Sequence, residues 1–590
     1  MNGRVSTVLV SLRERHRWVG IVVLTLIIGA PALVAVLSNV AGHWYPTGDV
    51  SHTELMLRSI PRHPPLVGVA ARVGSIFDQG STPGPSMAYL LFPVYFVLGR
   101  TSEAVLVSTL VVHLSAIFAT LWLVRRWSSE RTMLVFGVVF AVMVRALAPR
   151  FFLEPWNVWI PFFAYALFLV LAWGVFMGHR RAIPIVFAVG YHLVQTHISY
   201  VPMVAATLVA VSIRSIVIWR RESGFGRLVG WVSGITVLMW APPVIEQFQD
   251  GTGNLRRLLE HFTSPESATV GVWAAVKAMA GEFNLWGPFV TGPGKAPYDT
   301  PNPFGLALFV MVVGIGALVV RRDRALRTLY AVVAGNVAVG LLATSRIFGE
   351  FYDYVIRWMW IQAAVLVAVS VAAIVARVSA DRVAVGAIVC VLGLSVAGSV
   401  SSVGADPPYR ADSRVVGGLA ATLSEVLDDD ANLLLRWHDP ASLGGTSFGL
   451  VLELEKRGVD VRVEPWAGAA ARRHRTMVES DADVVLWLVT GQENIERFAT
   501  RADATLLAET DPRLGDEIDE SNRLRADIER MMNDVDHADW IDRLDSQYGH
   551  MQVLLFTPVS DELFTAVARY SELRVPVAVF AVPPGAPYFP

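Results

Sequence analysis

Cysteine and charge are both scarce in this chain of 590 residues. Cys390 is the single cysteine, so neither a disulfide framework nor a cysteine-based metal site can form within one chain. Charged residues make up only 17% of the sequence, against about a quarter in a soluble globular protein, and hydrophobic residues make up 54%. A basic stripe is also missing, which argues against nucleic acid as a partner. The deficit of charge predicts that a lipid bilayer surrounds much of the chain.

Long apolar runs fill the first two thirds of the sequence, separated by short arginine-rich turns. Most of them approach the roughly 20 apolar residues that a membrane-crossing helix requires. We predict eleven spans, at 18–40, 104–124, 131–149, 158–177, 182–198, 200–219, 226–242, 303–320, 326–345, 355–376 and 383–403. The seventh is expected to end at Pro242-Pro243. The pattern therefore predicts a multi-pass protein of the cell membrane.

The basic turns indicate on which side of the membrane each loop lies. With eleven spans, the turns at 125–126, 220–221 and 321–324 fall on the same side as the basic N-terminus, as the positive-inside rule requires. The N-terminus is therefore predicted to be cytoplasmic. The long loops 41–103 and 243–302 and the C-terminal domain then lie on the outer side.

The last part of the chain has the pattern of a soluble domain. Strand-like and helical runs alternate in it, which is typical of an α/β layer fold with a largely parallel sheet. The predicted strands lie at 432–436, 459–463, 483–489, 552–556 and 575–581, and the helices at 413–427, 446–457, 514–532 and 559–573. We therefore predict an all-α transmembrane domain, 1–404, followed by an extracytoplasmic α/β domain, 405–590. Binding of an acceptor, stacking on the outer loops and a purely structural role are all open for this domain.

Ionisable residues and turn formers are concentrated in the first outer loop. Asp49 lies a few residues past the first span, and Glu54 follows five positions later on a stretch with helical spacing, 50–60. A carboxylate that is held at a dry interface can act as a general base toward a hydroxyl. The alternative role for Asp49 is to cap the short helix. The apolar segment 86–99 is too short to cross the membrane comfortably, and we expect it to form a surface helix.

Polar side chains also collect where other predicted spans reach the outer face. Aromatic faces and amides suit a hydroxylated sugar ring, whereas arginine offers paired donors to a phosphate. Candidates for sugar or acceptor binding are His63, Glu154, Trp156, Asn157, His192, Gln195, His197, Glu246 and Tyr352, and candidates for binding a donor phosphate are Arg72, Arg346 and Arg357. Interfacial aromatics, interhelical hydrogen bonds and an ion pair of Arg357 with Asp353 are the ordinary alternatives.

Two further features of these segments bear on the site. The histidines at 192 and 197 are five residues apart, which does not match a metal-binding pair at i and i+4, and we predict no metal or other cofactor. The loop 243–302 is long for a compact protein, and we expect it to form a lid over the site.

The first 130 residues resemble the GT-C superfamily of membrane glycosyltransferases, which use polyprenyl-phosphate-linked sugars. The resemblance rests on one helix and a long outer loop, which opens with Gly48-Asp49 and continues through Glu54, His63-Pro64-Pro65-Leu66 and the turn Pro83-Gly84-Pro85. The sequence is most similar to the protein O-mannosyltransferase and aminoarabinose transferase branch, and to its actinobacterial members. The resemblance implies that Asp49 is the catalytic base. Because that branch often has adjacent Asp-Glu, whereas Val50 follows here, the role of Glu54 stays open between catalytic and structural.

The resemblance also implies an activity. The enzyme would be an inverting glycosyltransferase that moves a sugar, arabinofuranose or mannose, from a polyprenyl-phosphate donor to a glycan or glycolipid acceptor of the cell envelope. Its partners would then be membrane lipid, the lipid-linked donor and the acceptor. A transporter or flippase of a lipid-linked glycan is the alternative, and a non-catalytic scaffold is a third reading. No internal repeat of fixed period is visible, which weighs against transporter folds built from duplicated halves.

Overall fold

A computed structural model describes most of the chain. The described residues are 2–40, 43–75, 78–147, 151, 154–249, 253–265, 267–291, 303–349, 351–407, 409–428, 430–438, 444–534, 538–546 and 560–588, with the backbone alone for 2–17, 291 and 538–540. The described part of the membrane domain is mainly helical. Its helices are α1 (Asn2–Val40), α2 (Gly48–Ser59), α3 (Ser86–Val97), α4 (Ser102–Trp127), α5 (Glu130–Leu147), α6 (Phe162–Phe176), α7 (Ala182–Thr196), α8 (Val201–Trp219), α9 (Phe225–Gln249), α10 (Asn254–Thr263), α11 (Gly271–Glu282), α12 (Pro288–Thr291), α13 (Pro303–Val319), α14 (Arg324–Thr344), α15 (Trp358–Val375) and α16 (Ala380–Ser402), with 3₁₀ turns at Ile198–Tyr200, Val320–Arg322 and Asp353–Ile356.

Eight stretches, and not the predicted eleven, are long and apolar enough to cross a membrane within the described residues. They are Trp18–Val40, Ser102–Trp127, Ile198–Trp219, Phe225–Gln249, Pro303–Arg322, Arg324–Thr344, Asp353–Val375 and Ala380–Ser402. The predicted spans 131–149, 158–177 and 182–198 form the helices α5, α6 and α7, which do not qualify. Helices α6 and α7 have 15 residues each, and such a helix rises only about 22 Å against the roughly 30 Å of the hydrocarbon core. The chain is nevertheless a multi-pass membrane protein.

The two prolines of α9 do not end the helix, contrary to the prediction, because α9 continues to Gln249. Pro243 has no N–H to donate to the carbonyl of Met239, four residues earlier. The side-chain amide of Gln195 donates to that carbonyl instead, with an Nε2–O distance of 2.6 Å. A neighbouring helix thus satisfies the freed carbonyl, which is how membrane helices tolerate proline.

The first outer loop opens with α2, as its spacing predicts. Thr47 occupies the N-cap position and Asp49 lies in the first turn, so Asp49 is not the cap residue. Helix α3 has twelve residues, is apolar and packs against α4. It is therefore a short helix beside the bundle, as predicted for 86–99.

The C-terminal domain contains a five-stranded sheet in the order β2-β1-β3-β5-β4. The strands are β1 (Leu433–His438), β2 (Val461–Val463), β3 (Val484–Thr490), β4 (Thr505–Thr510) and β5 (Val577–Val582), and the longer helices are α17 (Arg410–Val426), α18 (Gly445–Lys456), α20 (Gln492–Ala499), α21 (Asp516–Asp534) and α22 (Asp561–Leu573), with the short α19 at Gly468–Ala471. This domain is α/β, as predicted.

The sheet is mixed and not largely parallel, which corrects one detail of the prediction. Strand β1 runs parallel to β2 and β3, but β5 pairs antiparallel with both β3 and β4. Strand β4 is an edge strand with mostly exposed or half-buried residues, so its sequence lacks the continuous apolar run that marks the other strands. The predicted strand 552–556 lies outside the described residues.

The C-terminal domain packs directly on the first outer loop. Leu55 of α2 is fully buried in the hydrophobic core of the C-terminal domain, together with Phe448 and Leu452. Gly449 of α18 approaches so closely that an added Cβ would lie 2.6 Å from the carbonyl oxygen of Pro46. The C-terminal domain therefore stacks on the first outer loop, which was one of the alternatives left open for it.

Candidate active site

The carboxylate of Asp49 lies near Arg72 and Trp156, in the first turn of helix α2. The side chain keeps 57% of its surface exposed, yet protein surrounds it on several sides. Desolvation raises the pKa of Asp49, and the charge of Arg72 and a hydrogen bond with the Trp156 side chain offset this rise only in part. A carboxylate with a raised pKa that remains open to solvent has the properties of a general base.

Arginine and aromatic side chains lie around Asp49. The guanidinium of Arg72 lies over the ring of Tyr352, 4.4 Å from the ring centroid, and hydrogen-bonds to its hydroxyl. Tyr352 stacks on Tyr354 at 5.2 Å, and Tyr354 contacts Trp156 at 5.0 Å between ring centroids. We refer to Asp49, Arg72, Trp156, Tyr352 and Tyr354 as the Asp49 cleft. It combines a base, a fixed cation and three aromatic faces.

His52 lies one turn after Asp49 and contacts Phe448 of the C-terminal domain. Its Nδ1 atom is 3.6 Å from a carboxylate oxygen of Asp49. Burial, assisted by the charge of Arg472, lowers the pKa of His52 to about 3. The imidazole is therefore neutral, and its ring meets the edge of Phe448 at 4.5 Å.

Glu154 supports the wall of the cleft. Its side chain is buried and accepts hydrogen bonds from the indole of Trp159 at 3.2 Å and from the hydroxyl of Tyr409 at 2.9 Å. The backbone carbonyl of Glu154 also accepts from the N–H of Trp156 at 2.7 Å. Glu154 thus fixes the turn that carries Trp156, and Tyr409 connects this turn to the start of the C-terminal domain.

Glu54 lies away from open space, unlike Asp49. Its side chain is fully buried and accepts hydrogen bonds from Tyr95 at 3.2 Å and Ser102 at 2.8 Å. Lys456 of the C-terminal domain completes its surroundings at 3.0 Å. This geometry favours the structural role that the sequence leaves open for Glu54.

The two arginines near the outer ends of α14 and α15 differ in their surroundings. Arg357 is buried and forms ion pairs with Glu282 at 2.6 Å and with Asp353. The ion-pair alternative therefore describes it, with Glu282 as an additional partner. Arg346 is exposed at the end of α14, and its side chain makes no hydrogen bond or ion pair with another described residue. Among the three candidates for phosphate binding, Arg72 is the one beside Asp49.

The remaining predicted residues are held by local partners. His63 stacks on His474 at 4.2 Å, Asn157 donates to the carbonyl of Thr196 at 3.2 Å, and Gln195 donates to Met239 as described above. In a similar way, His192 Nδ1 lies 3.1 Å from the Ser86 hydroxyl, His197 Nδ1 lies 2.7 Å from the Ser199 hydroxyl, and Glu246 accepts from the N–H of Asn254 at 2.8 Å. These contacts provide an ordinary structural role for each of the six residues.

The second long outer loop is joined to the first. The side chain of Asn254 is buried and makes two hydrogen bonds to the backbone of Ser81, at 2.7 and 3.1 Å. Arg257 pairs with Asp78 at 2.8 Å. That this loop acts as a lid stays a prediction. Within the described residues, no group of three or more metal-ligating side chains occurs.

Sequence reasoning missed the residues that the C-terminal domain adds to this region. Tyr409, Lys456 and Arg472 contact the first outer loop or its neighbours, although hundreds of residues separate them from it in sequence. Tyr354 was also missed as a cleft residue. No local pattern marks such contacts, because they depend on how two separately folded parts pack together.

No family model and no curated protein matches the sequence. Solved structures are similar in fold. ArnT from Cupriavidus metallidurans aligns in its apo state with a TM-score of 0.50 at 11% identity, and bound to undecaprenyl phosphate with a TM-score of 0.51 at 13% identity; each alignment covers 82% of this chain and 95% of that chain. The Archaeoglobus fulgidus oligosaccharyltransferase in complex with Zn and sulfate has a TM-score of 0.46 at 11% identity and covers 94% of this chain and 88% of that chain. The chain therefore shares its fold with ArnT, and the fold implied by the sequence resemblance is confirmed.

Proposed function

We propose that the protein is a glycosyltransferase that transfers a sugar from a polyprenyl-phosphate donor to a hydroxyl of a cell-envelope glycan or glycolipid, on the outer face of the membrane. Arabinofuranose and mannose are the sugars that the sequence resemblance favours. The observation that carries the proposal is the Asp49 cleft, where an exposed carboxylate of raised pKa lies close enough to the exposed Arg72 guanidinium for their charges to interact.

The chemistry assigned to the cleft needs one base and one fixed cation. Asp49 accepts the proton of the acceptor hydroxyl while the oxygen forms a bond to the anomeric carbon. The bond from that carbon to the phosphate oxygen breaks, and the lipid phosphate leaves with the electron pair. Arg72 stabilises the charge on the departing phosphate. Attack opposite to the leaving group inverts the anomeric carbon.

Aromatic side chains provide the surface for the sugar. Trp156 and Tyr354 contact each other near Asp49, and such rings combine apolar contact with polar edges. ArnT from Cupriavidus metallidurans, which shares the fold, was crystallised with undecaprenyl phosphate. That ligand has the chemistry that the proposed donor leaves behind. The charge pattern of the loops supports the outer orientation of the cleft.

Transfer by the purified protein tests the proposal. The full chain in lipid nanodiscs is incubated with polyprenyl-phosphate arabinofuranose or mannose and with envelope glycan, and the products are identified by mass spectrometry. Wild-type protein is expected to form a glycosidic product with one of the two sugars. Asp49→Asn is expected to lower the rate at least about 10²-fold, the usual contribution of a positioned general base.

A matched control is available in Asp381. It also lies in the first turn of a helix and is exposed, so Asp381→Asn should transfer at the wild-type rate. Full transfer by Asp49→Asn would remove Asp49 from the chemistry. Movement of the intact lipid-linked sugar from one leaflet of a vesicle membrane to the other, without any glycosidic product, would favour the transporter alternative.

A further inference from the structure

We propose that the C-terminal domain positions helix α2 and thereby the Asp49 carboxylate that this helix carries. In this proposal Lys456 is the positioning residue. The inference rests on the proposed function only for the chemical role of Asp49. The placement of α2 by the C-terminal domain can be measured without any substrate.

The side chain of Lys456, the last residue of α18, enters a buried polar cluster around Glu54 in the middle of α2. Its Nζ atom lies 3.0 Å from Glu54 and donates to Ser102 at 2.5 Å and to Glu453 at 2.7 Å. Tyr95 adds a further hydrogen bond to Glu54. One ammonium group therefore joins α2, the start of α4 and the C-terminal domain.

A second ion-pair cluster fixes the end of the same helix. Arg58 donates to Glu455 at 2.8 Å, and Arg475 donates both to Glu455 at 2.5 Å and to the hydroxyl of Ser59 at 2.9 Å. Burial alone would raise the pKa of Glu455, but Arg475 and Arg58 together lower it to about 2. The carboxylate is therefore ionised in the folded protein at neutral pH. The adjacent residues Lys456 and Glu455 thus bind Glu54 and Arg58, which are four residues apart on one face of α2.

Helix α2 needs such external contacts. It has twelve residues, and isolated helices shorter than about 12–15 residues are marginal in water. Its orientation is therefore set by packing, which includes Leu55 in the C-terminal core and His52 against Phe448. Asp49 lies on the first turn of this helix, so a tilt of α2 would move the carboxylate relative to Arg72 and Trp156.

Loss of the Lys456 charge has a clear consequence for the buried cluster. The carboxylate of Glu54 would remain in a water-free environment without its cation, and an uncompensated buried charge is strongly unfavourable. The helix would then shift so that water can reach the Glu54 side chain. Removing the charges of Glu54 and Lys456 together avoids this conflict at Glu54, since a neutral pair can remain buried. Glu453, the other carboxylate that binds Lys456, keeps Arg457 as a nearby cation.

The experiment compares Lys456→Met, Lys456→Arg, Glu54→Gln and the double variant Glu54→Gln/Lys456→Met in the full-length protein in nanodiscs. Arg569→Met is the matched control, because Arg569 forms an ion pair with Glu520 on the exposed surface of the same domain. Two quantities are measured. Amide hydrogen exchange over 48–59 reports the order of α2, and transfer kinetics report kcat and the donor KM.

The expected outcome has several parts. Lys456→Met should accelerate exchange over 48–59 about tenfold while distant helices stay protected, since only local opening is promoted. Its kcat should fall by about 10²-fold with little change in the donor KM, because a misplacement of about 1 Å has that effect. Lys456→Arg should retain both properties. The double variant should recover most of the kcat, and Arg569→Met should match wild type.

Other outcomes would overturn the inference. Unchanged exchange and kcat in Lys456→Met would show that Lys456 does not position α2. A double variant that folds but is as slow as Lys456→Met would assign a chemical role to Glu54. If Lys456→Met fails to fold, Lys456→Arg and the double variant still decide between these cases. If Asp49→Asn retains transfer, the proposed function fails, but the exchange measurements still test the placement of α2.

Discussion

The guanidinium of Arg72 lies over the ring of Tyr352, 4.4 Å from its centroid. The two residues are 280 positions apart in sequence, and their contact joins the first outer loop to the turn before α15. Asp49 lies beside this pair, and Arg72 acts on its charge. The strength of Asp49 as a base therefore depends on Arg72.

Removal of the Arg72 charge should alter the pH dependence of transfer. Desolvation raises the pKa of Asp49, and Arg72 lowers it in part. A base must be deprotonated, so kcat should fall as the pH drops through this raised pKa. In Arg72→Gln the lowering influence is absent, and the acidic limb of kcat should move to higher pH.

The pH profile of kcat at saturating donor measures this shift. Arg62→Gln is the control, because Arg62 is exposed in the same loop and should leave the profile unchanged. An acidic limb that stays in place in Arg72→Gln would mean that Asp49 is not the group whose ionisation limits transfer.

Arg357 and Glu282 allow a test of whether Arg357 binds phosphate. Both side chains are buried and lie 2.6 Å apart. Arg357→Met should destabilise the protein by about 3–5 kcal/mol, because the buried Glu282 loses its ion pair with Arg357. The double variant Arg357→Met/Glu282→Gln should recover most of the stability and of the transfer rate. Thermal unfolding in detergent measures the stability, and transfer kinetics measure the rate. A double variant that is stable but inactive would indicate that Arg357 binds the donor phosphate.

Gln195 should stabilise the proline-containing helix α9. In Gln195→Leu the carbonyl of Met239 loses its donor, which should cost about 1–3 kcal/mol as a buried unsatisfied group. Pro243→Ala restores a backbone N–H at the position that normally bonds this carbonyl. The combination Gln195→Leu/Pro243→Ala should therefore unfold at nearly the wild-type temperature. Equal destabilisation of the single and double variants would contradict this role of Gln195.

Tyr409 should support the Asp49 cleft from a distance. Tyr409→Phe removes a 2.9 Å hydrogen bond to the buried side chain of Glu154, and a typical intramolecular hydrogen bond contributes about 0.5–1.5 kcal/mol. A lower unfolding temperature and a reduced kcat are expected, because the turn with Trp156 loosens. Tyr588→Phe, which removes a comparable bond to Glu464 at an exposed position, should change kcat little. Identical effects of the two variants would argue against a specific link to the cleft.

Much of the architecture follows from local patterns in the sequence. Apolar runs marked the helices, and alternation of strand-like and helical runs marked the α/β domain. The number of spans did not follow, because three apolar helices fall short of a membrane span. Helices α6 and α7 have only 15 residues each, and the 18 residues of α5 include Glu130, Arg131 and Arg145. Strand β4 was missed because an exposed edge strand carries little apolar signal.

The candidate site was predictable only in part. Asp49, Arg72, Trp156 and Tyr352 were selected from loop position and chemistry, and the structure brings them together. Gln195 has the same polar chemistry, but it serves the carbonyl that a proline leaves free on another helix. Such pairings depend on three-dimensional neighbours, so one sequence does not distinguish them from ligand contacts. The contribution of the C-terminal domain was unpredictable for the same reason.

A structure of the full chain with undecaprenyl phosphate bound, determined by electron cryomicroscopy in nanodiscs, tests the central claim most directly. The account predicts that the phosphate lies within hydrogen-bonding distance of the Arg72 guanidinium, in the same cleft as the Asp49 carboxylate. A phosphate bound elsewhere, for example at the exposed Arg346, with the Arg72–Tyr352 contact unchanged, would contradict it.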